Sequence, residues 1–168
     1  MLTVQNILVG TDFSQASRAA LDYARALART FRARLHILHV VEPALAGTFD
    51  IDGRLTPLPE LQFALENSER ERLEHMISED DRVSLRAVTA VRTLDTPAHA
   101  IIEYASTHHI DMIVVGTHGR RGVAYLVVGS VAEQVVRSAH CPVVTIRQGF
   151  EALPQHHEHT AEHSVKPS

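Results

Sequence analysis

The residues of this 168-residue chain best suited to chemistry lie in one run, Gly116-Thr117-His118-Gly119-Arg120-Arg121-Gly122, and in Gly129-Ser130 just beyond it. Glycines let backbone N–H groups turn toward a phosphate with no side chain in the way. Gly129 and Ser130 stand where a helix begins, and unpaired N–H groups and the helix dipole favour an anion there. Arg120 and Arg121 add positive charge. A plainer reading competes: the glycines make turns and Ser130 only caps its helix. Spacing alone leaves both readings open.

Lys166 is the single lysine among the sixteen basic side chains, and it lies near the end of the chain. No P-loop lysine can therefore sit on a β- or γ-phosphate, and Schiff-base chemistry is equally disfavoured. Any anion must be held by arginine, histidine, backbone N–H groups or a metal.

Other candidates carry weaker signals. Asp12 and Ser14 follow an apolar run, and either could start a helix. His118 could be an exposed loop histidine, and with no partner carboxylate in its motif it is disfavoured as a general acid or base. His36 and His39 alternate with apolar residues and read as packed side chains. His108-His109 suit a helix end. Cys141 before a proline reads as buried and inert, and one cysteine allows no internal disulfide. His156, His157, His159 and His163 could bind zinc, nickel or copper, but no rigid scaffold is evident around them.

Composition bounds the rest. Apolar residues make up 45% and charged residues 21%, the balance of a globular domain. A net charge of -4 argues against a nucleic-acid partner, which normally requires a basic surplus. No stretch has the length of a membrane span, and the first residues lack a cationic start, so a cytoplasmic protein is expected.

The elements that must position these residues alternate. A buried strand is predicted over 4–10, a helix over 15–32 and a second strand over 34–41. An irregular stretch, 42–59, holds Pro43, Gly47, Gly53, Pro57 and Pro59. A charged helix is predicted over 60–79, with Leu61, Leu65, Leu73, Met76 and Ile77 inward. A third strand is predicted over 83–91, alternating Val83, Leu85 and Ala87 with polar residues. Thr96-Pro97 reads as a cap followed by proline at the first helical position. A strand over 110–115, a helix opened by the capping box Ser130-Val131-Ala132-Glu133, and a last strand over 142–146 complete the series. Five strands alternating with four helices predict a doubly wound α/β fold, a parallel sheet covered on both faces. Ligands of such sheets bind beyond the carboxyl ends of the strands, where strand order reverses. The loops after the first and fourth strands, 10–14 and 116–129, lie at that edge. Residues 148–168 are polar and histidine-rich and read as a disordered tail following a domain over 1–147.

Gly116-x2-Gly119-x9-Gly129-Ser130 resembles the glycine signature of the universal stress protein family, in its ATP-binding branch. Ile7-Leu-Val-Gly-Thr-Asp12-Phe-Ser14 resembles that family's opening strand and acidic turn. His39-Val40 resembles the end of its second strand. Ile113-Val-Val-Gly116 and His140-Cys-Pro-Val-Val144 resemble its fourth and closing strands. The resemblance implies the Rossmann-like fold of the adenine nucleotide alpha hydrolases. It further implies that Asp12, with Gly10 and Thr11, lies near base and ribose. Val40 would help bind adenine through its backbone. Val115, Gly116, His118, Gly119, Arg120, Gly129, Ser130 and Val131 would surround ribose and phosphates, with Mg²⁺ or Mn²⁺ beside them. It implies a homodimer through 142–146. Two departures are visible: Thr93-Leu-Asp95-Thr-Pro97 lacks the glycine that relatives often carry before the proline, and the histidine-rich tail lies outside the pattern.

Three functions follow. The first is an ATP-binding stress-response module with at most slow ATP hydrolysis, since no catalytic pair is evident. The second is an adenylyl transferase or ATP pyrophosphatase. Gly10-Thr-Asp-Phe-Ser14 opposes it, because HxGH or SGGxDS-like loops stand there in such enzymes. The third is a ligand-free dimeric interaction protein, or a metal binder acting through the tail.

Overall fold

The computed structural model describes residues 3–43, 47–49, 52, 55–94, 96–117 and 130–147. Apolar, β-branched runs form the centre. Strand β1 (Asn6–Thr11) pairs in parallel with β2 (Arg34–Val41) on one side and with β6 (Met112–Gly116) on the other. Strand β5 (Val88–Thr93) joins β2, and β7 (Val143–Ile146) joins β6, so the order is β5-β2-β1-β6-β7. The chain winds outward from β1 through β2 to β5, then crosses back to β6. Strand order therefore reverses between β1 and β6.

Helices cover both faces, as parallel strands require. On one face, α1 (Gln15–Phe31) presents Ala20, Leu21, Ala24 and Ala28 to Ile7, Val9, Leu35 and Ile37. Helix α2 (Pro59–Glu74) and the short α3 (Glu79–Ser84) complete that face with Leu73, Ile77 and Leu85. On the other face, α4 (Pro97–Thr107) and α5 (Ser130–Ser138) bury Ala98, Ile101, Tyr104, Ala132 and Val135 against Leu8, Leu38, Ile113 and Val115. Each large side chain buried in this way contributes about 1.5–3 kcal/mol.

Several expectations need correction. The run 60–79 is not one helix: it ends at Glu74, and Ser78 opens α3 with a capping box closed by Asp81. The third strand begins at Val88, not at 83. Val83 lies in α3 and is exposed, while Leu85 caps that helix and is buried. The stretch 42–59 holds an antiparallel pair, β3 (Gly47–Phe49) and β4 (Leu55–Pro57). Five helices are thus present among the described residues, not four. Leu61 is exposed, because the first turns of α2 meet the sheet through polar contacts: Thr93 Oγ1 donates to Glu66 Oε1 at 2.6 Å, and Gln62 Nε2 donates to Thr93 Oγ1 at 3.1 Å. Thr96 precedes Pro97 as expected but makes no side-chain cap bond. Ser130 is already helical, so it is not the residue before the first turn. Cys141 is only partly buried; burial, then the charge of Asp111, pushes its thiol upward.

Two polar clamps tie distant segments together. Asp111 Oδ2 accepts from the backbone N–H groups of Gln5 at 2.7 Å and Asn6 at 2.9 Å, locking β1 to the start of β6. Arg25 of α1 donates to buried Asp81 at 2.9 Å, to Asp22 at 2.9 Å and to the carbonyl of Met76 at 2.7 Å. Burial works to raise the Asp81 carboxyl, but hydrogen bonds from Arg25 and Ser78 outweigh it and hold the group below the usual carboxylate range.

Candidate functional site

The carboxyl ends of β2, β1 and β6 lie side by side at the point of reversal. The register sets Thr11 beside His39, and Val9 beside Val114. Gly10, Thr11 and Asp12 thus share one edge with Val40, Val115 and Gly116. Helix α5 returns antiparallel to the strands, so its first residues, Ser130 and Val131, belong to the same edge. His118, Gly119, Arg120 and Gly129 lie outside the described residues, as do His156, His157, His159 and His163.

The turn after β1 is built by side chains reaching back to the backbone. Ser14 is the cap of α1, its Oγ accepting from the N–H of Ser17 at 3.2 Å. Asp12 is not the cap: its Oδ1 accepts from the N–H of Ser14 at 3.0 Å, an Asx turn that orients the carboxylate. Thr11 Oγ1 lies 3.1 Å from Ser17 Oγ and accepts from the N–H of Phe13 at 3.1 Å. Phe13 is buried at φ 62°, a left-handed backbone unusual for a bulky residue.

The glycines have a structural duty as well. A Cβ on Gly116 would stand 2.8 Å from the carbonyl carbon and 2.9 Å from the carbonyl oxygen of Ala16. The end of β6 is thus pressed against the first turn of α1, and only glycine fits. A Cβ on Gly10 would meet the flexible end of Ile101 at 3.1 Å. Thr117 continues the edge, buried, its N–H donating to the carbonyl of Ile146 at 2.8 Å. Val115 is buried in the core, and Val40 and Val131 pack against it, so these three can meet a ligand chiefly through their backbones.

Residues that sequence reasoning passed over stand behind the turn. His39, read as a packed side chain, is buried and reaches the carbonyl of Thr11 through Nδ1 at 2.8 Å. Its Nε2 faces Glu69 Oε2 of α2 at 3.6 Å, and Arg72 Nη1 approaches the same oxygen at 3.6 Å. The ring of Phe13 lies 4.5 Å from that of His39, and the guanidinium of Arg72 lies 4.0 Å from the Phe13 centroid. Glu69 and Arg72 are three apart on a charged helix, which looks like an ordinary solvated pair in sequence. His36 is buried elsewhere, under α4, with Nδ1 3.1 Å from Tyr104 Oη. Burial, then His108 and Arg34, lowers its pKa to about 4.

A parallel sheet reversing at β1/β6, with the acidic turn after β1 on one side and Gly116 ending β6 on the other, defines a doubly wound domain. A model of the universal stress protein family matches residues 3–147, and the chain belongs to that family. The universal stress protein MJ0531 of Methanocaldococcus jannaschii is 29% identical over 144 residues, covering 86% of this chain and 82% of its own length. The solved structure of universal stress protein UspA from Lactobacillus plantarum superposes with a TM-score of 0.68 at 31% identity, covering 88% of this chain and 100% of that one. A universal stress protein solved in complex with cAMP has a TM-score of 0.57 at 23% identity, covering 88% of this chain and 99% of that one. Among the described residues no helix is long and apolar enough to cross a membrane.

Proposed function

We propose that this protein is an ATP-binding regulatory module of the stress response that holds its nucleotide and hydrolyses it slowly or not at all. One observation carries the reading: Asp12 and Gly116 flank the reversal point of the sheet, and the chain leaving Gly116 carries Gly119, Gly129 and Ser130 at the spacing of the family's nucleotide signature. The relative solved with cAMP attests the fold at its level of identity, so the weight rests on these residues. Asp12, Gly10 and Thr11 would meet base and ribose, and the backbone of Val40 the adenine. The N–H groups along Val115–Gly116 and His118–Arg120, and those of Gly129–Val131, would meet the phosphates. With Lys166 the single lysine of the sequence, arginine, backbone donors and a divalent ion would balance the phosphate charge. Among the described residues no three His, Cys, Asp or Glu side chains converge on one point. A Mg²⁺ or Mn²⁺ ion would accompany the phosphates.

The same reading makes the protein cytoplasmic and homodimeric. Strand β7 pairs only with β6 among the described residues, so its outer edge is available to a second copy across 142–146.

The test is to denature the purified protein and identify the released small molecules by mass, then to follow the unfolding midpoint with Mg-ATP. At 100 times Kd the ligand adds about 2.7 kcal/mol. Released adenine nucleotide, or a raised midpoint abolished by Gly119→Val, supports the reading. Absence of both refutes it and leaves a ligand-free interaction protein.

A further inference from the structure

We propose that helix α2 sets the nucleotide affinity of the β1 turn, with Glu69 and Arg72 as positioning residues that act through His39 and Phe13. The inference rests on the nucleotide reading above and adds to it a regulatory element on the opposite side of the turn.

The geometry is a latch of four side chains. The Thr11 carbonyl is an acceptor, so the proton of that hydrogen bond sits on His39 Nδ1. Nε2 then faces Glu69 Oε2, which is shut off from solvent and has no hydrogen-bond partner. An acceptor oxygen buried in that way is costly unless a cation stands near it. Arg72 Nη1 stands at 3.6 Å from that oxygen, and His39 Nε2 lies at the same distance. Arg72 and His39 also lie against the Phe13 ring, so the side chain of the left-handed residue is gripped by two groups that Glu69 holds in place.

The grip bears on Asp12. Phe13 at φ 62° stays there only while its surroundings over-determine it. Its N–H bond to Thr11 Oγ1 and its ring contacts supply that constraint. Released, the turn relaxes toward ordinary backbone angles, and the Asp12 carboxylate leaves the orientation fixed by Ser14. Helix α2 is suited to modulation, because Leu73 is its single buried residue among those described and its first turns meet the sheet through hydrogen bonds that join Gln62 and Glu66 to Thr93. A change that shifts Glu69 and Arg72 thus alters the turn, and ligand bound at the turn tightens α2 in return.

The experiment titrates Mg-ATP into the full-length protein and into Glu69→Gln, Arg72→Met, Arg72→Lys and Arg29→Gln, with unfolding midpoints recorded for each. Arg29 of α1 pairs with Asp80 of α3 and serves as a surface-charge control. Glu69→Gln and Arg72→Met are expected to bind about tenfold more weakly at nearly unchanged midpoints, within the usual range of coupling between sites. Arg72→Lys, which keeps the cation, recovers most of the affinity, and Arg29→Gln matches wild type. In the same samples the imidazole ¹⁵N shifts of His39 move on nucleotide addition in wild type and not in Glu69→Gln. Equal affinities in all five proteins, or Arg72→Lys falling as far as Arg72→Met, overturn the latch while leaving nucleotide binding intact. Wild type that binds no nucleotide removes the functional reading and the latch with it. Should Glu69→Gln fail to fold, the wild-type His39 shift decides alone, and its absence on saturation overturns the proposal.

Discussion

The α-carbon of Gly116 rests on the backbone of Ala16 so closely that an added Cβ would sit 2.8 Å from the Ala16 carbonyl carbon. The neighbour is the first turn of a helix, which cannot rotate aside as a side chain would. Gly116→Ala is therefore expected to cost about 1–3 kcal/mol by overpacking. Gly10→Ala meets only the tip of Ile101 and gains strand propensity, so it stays within about 1 kcal/mol of wild type. Urea unfolding of the two variants side by side checks this; equal losses would contradict the packing argument.

The cap of α1 serves two neighbours. Ser14 Oγ accepts from Ser17, and the Ser14 N–H holds Asp12. Ser14→Ala removes the first bond and keeps the second, and should cost about 1 kcal/mol. Thermal unfolding gives the loss. Backbone shifts of Asp12 should move little, since its partner is a main-chain group.

Acid should weaken the fold through His36 before the carboxylates titrate. Its folded pKa, about 4, lies below the ordinary 6.5, so the unfolded chain takes up the proton first. Stability is full above pH 6.5 and falls as pH drops toward 4, by on the order of 3 kcal/mol over that window. The groups facing the ring are Tyr104, His108 and Arg34. His36→Leu should flatten the decline between pH 6.5 and 4.5 in chemical denaturation; an unchanged slope would assign the acid sensitivity elsewhere.

The Arg25–Asp81 clamp joins α1 to α3 with the carboxylate almost wholly buried. Asp81→Ala takes from the guanidinium its buried partner and removes the capping box of α3, at a cost of about 3 kcal/mol, the low end for broken buried pairs because Arg25 keeps Asp22 and the Met76 carbonyl. The double variant Arg25→Ala/Asp81→Ala should lose less than the sum of the single losses. Additive losses in a double-mutant cycle would refute direct coupling.

Where the sequence carried strong periodicity it was read well. The apolar face of α4 and the buried strand β2 follow from the placing of apolar residues, and the doubly wound sheet follows from the alternation of strands and helices, whereas in α1 the expected inward residue Phe31 is exposed and Leu21 and Ala28 are buried instead. The boundary between α2 and α3 was harder. A charge-rich run from Glu60 to Arg82 has the look of one helix, and the break rests on Ser78 and Asp81, a capping box hidden among acidic neighbours. The alternation of Val83, Leu85 and Ala87 imitates a strand, but the residues that α3 and its cap bury, Asp81 and Leu85, are four apart, at helical spacing. At the candidate site, Asp12 and Gly116 could be named from residue type and place, and Gly10 and Thr11 from the family resemblance. Glu69 and Arg72 were not, since only tertiary packing brings a surface helix behind a turn more than fifty residues earlier.

The Asp111 clamp on Gln5 and Asn6 has a consequence in time. The strand that begins the chain completes its pairing only when residues more than a hundred positions later arrive. Contacts of such sequence separation form slowly, since a long loop must close first. During synthesis β1 therefore emerges with its β6 edge uncovered, and the crevice between them does not exist until β6 has been made. Occupancy of that crevice reports a finished fold, and a ligand that fits it acts after the last slow closure, trapping the product without guiding the search.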